Sequence, residues 1–230
     1  MRPRKLVIAI DGPAASGKST TARLVAERLG YVHVDTGAMY RAVTLKVLRA
    51  GLSPEDRESI AALLTTTRVE LRNMGGALRI FLDGVDVTGP IRTQEVTRAV
   101  SAVSRLREVR TAMVREQRAM GKDGGIVLEG RDIGTVVFPD ADLKFFIIAG
   151  IEARALRRQR ELQEKGTRAD LEELKREIAE RDRLDSSRAE SPLRKAEGAI
   201  EIDTSNLSIE EQVNQVVTIA RERMGERPLP

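Results

Sequence analysis

Cysteine and tryptophan are both absent from the chain. Without cysteine, disulfides and thiolate metal sites are excluded, and the expected compartment is the cytoplasm. Without tryptophan, and with aromatic residues at only 3%, the stacking platforms of single-strand nucleic-acid binders are missing. No apolar run approaches the ~20 residues of a membrane helix. The basic start, Met1-Arg-Pro-Arg-Lys5, precedes an apolar run, Leu6–Ile10, far too short for a signal-peptide core. The single histidine, His33, lies inside an expected strand and reads as a core residue rather than a base. No nucleophile triad, metal cluster, heptad run or internal repeat is present.

What is present describes a globular protein of ordinary composition. The 230 residues, 41% hydrophobic and 32% charged, suffice for one sizeable core with small inserts. The net charge of +4 is modest, and the basic residues are mostly Arg, whose planar fork suits phosphate and carboxylate. Such a surplus fits small phosphorylated ligands better than polymeric nucleic acid.

Five short apolar runs read as strands: Leu6–Ile10, Val32–Val34, Ile126–Leu128, Leu143–Ile148 and Ala199–Ile202. They lack strict alternation, as strands covered on both faces do. Between them lie amphipathic segments, Lys18–Leu29 before Gly30 and Ala38–Ala50 before Gly51, and the last opens on the capping box Ser208-Ile-Glu-Glu211. Strand–helix alternation predicts a parallel α/β core with right-handed crossovers. The long stretch after the second strand predicts a helix capped by Ser53-Pro54 and a small antiparallel insert with turns at Gly75-Gly76 and Asp83-Gly84. Helices over 94–106 and 109–120 lead back to the sheet. A second excursion, Ile151–Ser187, is charged and helical, broken around Lys165-Gly166-Thr167, where a mobile lid is expected.

Gly12-Pro13-Ala14-Ala15-Ser16-Gly17-Lys18-Ser19 matches the pattern of Gly, four free positions, Gly, Lys and Ser or Thr. A chance match in a chain of this length is about a one-per-cent event. It also leaves an apolar strand and opens a helix, the placement its mechanism requires. Glycines let backbone N–H groups close on phosphate oxygens, and the helix N-terminus favours an anion. Lys18 reaches the β- and γ-phosphates, and the Ser19 hydroxyl ligates Mg²⁺. The segment is a P-loop, and Thr20 extends the ATP-binding stretch.

Three further segments carry anion-binding groups. Asp35-Thr36-Gly37-Ala-Met-Tyr-Arg41 leaves the second strand, where Thr36 and Arg41 can hold a second anion; alternatively, Asp35 and Thr36 only cap the next helix. Glu129-Gly-Arg131-Asp132 leaves the third strand, with Glu129 suited to the water shell of Mg²⁺ and Arg131 to phosphate; the alternative is a structural Arg–Asp pair. Arg181, Asp185 and Arg188 share one face at helical spacing and continue the apolar stripe of Leu171, Leu174 and Ile178. That pattern suggests a helix leaving the core and entering a ligand cleft; an exposed ion pair is the plainer reading. Arg154 and Arg158, four apart, suit a lid closing over phosphates.

Taken together, these segments, with Ile91-Arg-Thr-Gln-Glu-Val and the run from Glu129 to Pro139, resemble the bacterial cytidylate kinases over residues 5 to 203. The resemblance implies transfer of the ATP γ-phosphate to CMP or dCMP with Mg²⁺, in pyrimidine metabolism, by a monomer with no nucleic-acid or membrane partner. It implies a five-stranded parallel P-loop kinase core with helices on both faces, a small antiparallel insert and a helical lid. The boundaries are core over 1–36, monophosphate-binding insert over 37–103, core over 104–152, lid over 153–171 and core over 172–230. On this resemblance Thr36, Arg41 and Arg131 meet the monophosphate, while Ser101, Arg110 and Asp132 read the cytosine edge. Arg181, Asp185 and Arg188 hold the sugar and phosphate. Lys18, Arg131, Arg154 and Arg158 are catalytic, with Arg157 an alternative to Arg158. Glu129 stands where relatives carry Asp. The rival readings are a P-loop kinase phosphorylating a hydroxyl, with Asp35 as base, and a P-loop ATPase switch.

Overall fold

The computed structural model describes residues 5–74, 77–164 and 166–225. Its elements run β1 (Val7–Asp11), α1 (Lys18–Leu29), β2 (Val32–Asp35), α2 (Thr36–Arg49), α3 (Arg57–Thr65), β3 (Val69–Met74), β4 (Ala77–Leu82) and β5 (Val85–Asp86). There follow α4 (Gln94–Ser104), α5 (Arg107–Met120), β6 (Ile126–Gly130), β7 (Leu143–Ile148), α6 (Ile151–Glu164), α7 (Leu171–Ser187), β8 (Ile200–Asp203) and α8 (Ile209–Met224). The chain divides into two compact units, Met1–His33 with Gly121–Pro230, and Val34–Met120.

The first unit is built on the five-stranded parallel sheet, in the order β2-β6-β1-β7-β8. All five apolar runs form strands, and β6 is buried at every residue, as a strand covered on both faces must be. Ile8, Ile10 and Phe145 bury against Val25 of α1 and Val213 and Val216 of α8. Each such side chain contributes about 1.5–3 kcal/mol on leaving water. The chain enters β1, then β2 on one side, and later crosses from β6 to β7 on the other. Ligands of open α/β sheets lie outside the carboxyl ends of strands where the order reverses in this way. Asp11 pairs with Gly130 in register, so the loops after β1 and β6 leave the sheet side by side.

The second unit holds α2, whose Met39, Val43 and Val47 are buried, with α4, α5 and the antiparallel sheet β3-β4-β5. The turn at Asp83-Gly84 joins β4 to β5, with φ of 51° and 84°. Two consecutive positive φ values are what a two-residue type I′ hairpin requires. The expected Gly75-Gly76 turn lies outside the described residues, as does Lys165 of the expected helix break. The helix expected at Ser53-Pro54 begins later, at Arg57. Asp56 N–H bonds to the Ser53 carbonyl at 3.0 Å, making Ser53–Asp56 a turn with Pro54 at the position its fixed φ suits. The Asp56 carboxylate then caps α3 by accepting from Ser59 N–H at 3.1 Å.

Candidate active site

Backbone geometry at the P-loop explains its glycines. Gly12 has φ of 155°, and a Cβ there would stand 2.1 Å from the Ile147 carbonyl oxygen, so no other residue fits. Gly17, at φ of 91°, takes the N-cap of α1 without a side chain, leaving the first N–H groups of the helix for an anion. Lys18 is buried and its ammonium donates to the Pro13 carbonyl at 3.1 Å, folding back over the loop. Behind the loop, Thr204 donates to the Ser16 carbonyl at 2.9 Å. Thr21 donates to the buried Gln212 at 2.9 Å. Thr20 is exposed.

The loop after β6 meets this one at two points. Ser19 Oγ donates to Glu129 Oε2, and Glu129 Oε1 lies 3.1 Å from His33 Nε2. Burial would raise the Glu129 carboxyl, but the His33 bond and the Lys18 charge outweigh it and hold the group below its usual range. It is therefore a carboxylate at neutral pH. A hydroxyl and a carboxylate side by side are the hard oxygen donors that suit Mg²⁺, which takes its other ligands from phosphates and water. Asp11 is the second point: its carboxylate accepts from Ile133 and Gly134 N–H, each at 2.8 Å, pinning the start of the π-helical turn Ile133–Val137.

Burial pushes the Asp11 carboxyl up to about 6, against the pull of the Gly134 and Ile133 N–H groups. The folded chain therefore keeps this proton to a higher pH than the unfolded chain, whose Asp titrates near ~3.9. Ionising Asp11 costs stability as pH rises through the window between those values, and the cost is constant above it. Asp11→Asn should thus gain stability relative to wild type from about pH 4 to about pH 6 and hold level beyond. Paired urea midpoints across that range check it; a gap that ignores pH there would contradict the buried acid.

Arg131 turns the other way from Glu129. Its Nε donates to Asp185 Oδ2 at 2.8 Å, and Arg188 Nη1 lies 3.7 Å from Asp185 Oδ1. Asp185 is buried; desolvation would raise its carboxyl, yet the charges of Arg131, Arg188 and Arg181 hold it below the usual range. It is not the partner of an exposed helical ion pair. Leu174 and Ile178 are buried on the same helix, with Ala155, so the stripe does pass from core to charged cluster. The expected helical spacing fails at its end, because α7 stops at Ser187 and Arg188 is extended, with φ of −66° and ψ of 142°. Its side chain folds back, Nε donating to the Ser191 carbonyl at 2.9 Å.

Among the helix α6 arginines, Arg154 is buried, 2.6 Å from Asp182 and 3.3 Å from the Ala14 carbonyl. Arg158 is half-exposed and pairs with Glu161 at 3.1 Å. Arg157 also stands beside the P-loop: its Nη1 donates to Thr204 Oγ1 at 3.1 Å, and a Cβ on Gly17 would stand 3.6 Å from the same nitrogen.

In the second unit, Asp35 caps α2 by accepting from Ala38 N–H at 2.9 Å, and Thr36 is buried in the first turn. Arg41 donates to Thr97 Oγ1 at 2.9 Å. Arg110 is buried with its guanidinium over the Tyr40 ring, 5.4 Å from the centroid, and donates to the Ser104 carbonyl at 3.3 Å. Ser101 lies one turn before Ser104 on α4, partly exposed. Asp132 belongs to the first unit and is buried.

Sequence reasoning missed the His33–Glu129 contact, the Asp11 clamp and the Tyr40–Arg110 stacking. The one available signal was positional: Glu129 is next to the carboxyl end of β6, and His33 lies two residues before that of β2.

A family model described as cytidylate kinase matches residues 8–222 of the chain. Among curated relatives, the cytidylate kinase of Geobacillus sp. (strain WCH70) is 51% identical, over 95% of this chain and 97% of its own. That of Bacillus subtilis (strain 168) is 48% identical over 96% and 98%. That of Geobacter sulfurreducens is 47% identical over 99% and 97%. The fold is also that of a solved, uncharacterized protein from Eubacterium ventriosum, with a TM-score of 0.52 at 11% identity over 95% of this chain and 99% of that one. Among the described residues no helix is long and apolar enough to cross a membrane.

Proposed function

The chain belongs to the cytidylate kinase family, and from that membership we infer how its residues divide the work of phosphoryl transfer. It is an ATP-dependent nucleoside monophosphate kinase that converts CMP or dCMP to the diphosphate. One observation carries the division of roles: three consecutive residues, Glu129 to Arg131, touch both Ser19 of the P-loop and Asp185 of the arginine cluster. On this reading the end of β6 and the residue after it serve both the donor and the acceptor half of the site.

The residues Gly12 to Thr20 hold the ATP phosphates, with Lys18 at the β- and γ-phosphates. Ser19 and, through water, Glu129 would hold Mg²⁺, which would supply charge neutralisation at the phosphates. Thr36, Arg41 and Arg131 meet the acceptor phosphate, and Ser101, Arg110 and Asp132 read the cytosine edge. Arg181, Asp185 and Arg188 hold the sugar and phosphate. Arg154 is positioned by Asp182, and Arg158, paired at the surface with Glu161, acts as the lid arginine on the transferring phosphoryl group. Residues 37–103 serve as the monophosphate-binding insert and 153–171 as the lid. The enzyme acts as a cytoplasmic monomer.

The acceptor makes no demand for a general base. A phosphate monoester has its second pKa near ~6 and is largely dianionic at neutral pH. Catalysis then rests on positioning and charge neutralisation, which Lys18 and the arginines supply. A hydroxyl-phosphorylating kinase would need a base, and its candidate, Asp35, is engaged in capping α2. Steady-state assays with CMP, dCMP, UMP, AMP and shikimate test the reading. The cytidine pair is expected to give the highest kcat/KM, and preference for another acceptor would overturn it.

A further inference from the structure

We propose that His33 is a positioning residue that aims Glu129 at the metal corner of the P-loop. The inference rests on the reading of Ser19 and Glu129 as that corner. Glutamate is long and flexible, and this one is buried, so its carboxylate needs two anchors to present one orientation. Its Oε2 accepts from Ser19, and its Oε1 lies 3.1 Å from His33 Nε2. A carboxylate can only accept, so His33 Nε2 carries the hydrogen.

His33 stands on β2, next to β6 in the sheet, and Val32 N–H bonds to the Gly125 carbonyl at 2.8 Å, so the strand's register is fixed beside Glu129. Its other nitrogen, Nδ1, is buried with no hydrogen-bond partner among the described residues. A residue serving only the core would be apolar and avoid that orphan atom. The ring's role therefore lies in its contact with Glu129, as with outer-shell partners of metal ligands.

The test compares ATP affinity by calorimetry with saturating Mg²⁺ and with EDTA, on the full chain. The ratio of the two reads the metal's contact with the protein. His33→Phe keeps bulk and removes the donor; it should shrink the Mg²⁺-dependent ratio about 10-fold, with ATP affinity in EDTA within about twofold of wild type. His33→Gln, which restores an N–H near the same place, should recover most of the ratio. Glu129→Ala should shrink it as well, and adding His33→Phe to that variant should change nothing further.

If Glu129→Ala lowers the ratio and His33→Phe does not, His33 has no positioning role while the metal corner stands. An unchanged ratio in Glu129→Ala removes the metal corner itself. A His33→Phe effect that is equal in EDTA, or that persists in the Glu129→Ala background, marks a general structural role and overturns the proposal. Should His33→Phe fail to fold, His33→Asn, too short to span the contact, takes its place with the same outcomes.

Discussion

Lys18→Met is expected to lower kcat by on the order of 10³-fold with the fold intact. The ammonium lies buried over the P-loop, donating to the Pro13 carbonyl at 3.1 Å. In a water-poor setting a fixed charge aimed at developing negative charge is worth far more than the same charge in solution. Methionine keeps the length and the packing of the side chain and removes only the charge. Two routes lead to the loss. The phosphates lose a counter-charge, and Glu129 loses the Lys18 charge that helps hold its carboxyl below the usual range. Excess Mg²⁺ separates them, since it can refill a weakened metal corner but cannot take the fixed position of the Lys18 ammonium in the P-loop. The expected result is a kcat that stays low at any Mg²⁺ concentration, measured beside an unchanged thermal midpoint. A variant within about tenfold of wild type would deny Lys18 its role.

The P-loop was legible because its phosphate-binding groups lie in one contiguous octapeptide whose backbone takes positive φ at Gly12 and Gly17, which glycine adopts freely. The five strands were legible because burial on both faces imposes a continuous apolar run. Where contacts join distant positions, no local pattern records them. His33 and Glu129 are 96 residues apart, and Asp11 is 122 from Ile133. A lone histidine in a strand looks like a core residue until the neighbouring strand is known. Competing local signals misled in other places. Ser53-Pro54 opens a helix or a turn equally well, and the better cap at Asp56 decided for the turn. Helical spacing placed Arg188 on the face of Asp185, but α7 ends one residue earlier. The two residues still approach to 3.7 Å, because the extended backbone lets the arginine fold back. Among the arginines of α6, periodicity favours Arg154 and Arg158 equally, whereas Arg157 reaches Thr204 only through the packing of β8 and its following loop.

Asp185→Ala should act on binding and on stability together. The carboxylate stands between Arg131 and Arg188 in a buried cluster, so its removal leaves cationic charge there without this counter-charge. Breaking such a pair costs about 3–5 kcal/mol, because the remaining ion keeps its desolvation penalty. The KM for CMP should rise about 10-fold or more, since one lost charged hydrogen bond is worth ~1.5–3 kcal/mol. The KM for ATP should stay within about twofold, because among the described residues Asp185 bonds to Arg131, Arg188 and the Leu193 N–H rather than to the P-loop. The Asp185 carboxyl is depressed in the folded state, so its contribution is fully present above the unfolded value of ~3.9 and is lost as pH falls through the lower folded value. The stability gap between wild type and variant should therefore be constant at neutral pH and close only below about pH 4. Asp185→Asn separates the two effects. It keeps an oxygen for the Arg131 hydrogen bond but no charge, so a carboxamide that restores CMP binding without restoring stability would assign Asp185 to the sugar by shape. One that restores neither assigns it by charge, as the partner that holds Arg131 and Arg188 for the substrate. An unchanged KM for CMP in both variants would remove Asp185 from the acceptor site and leave it a structural counter-ion.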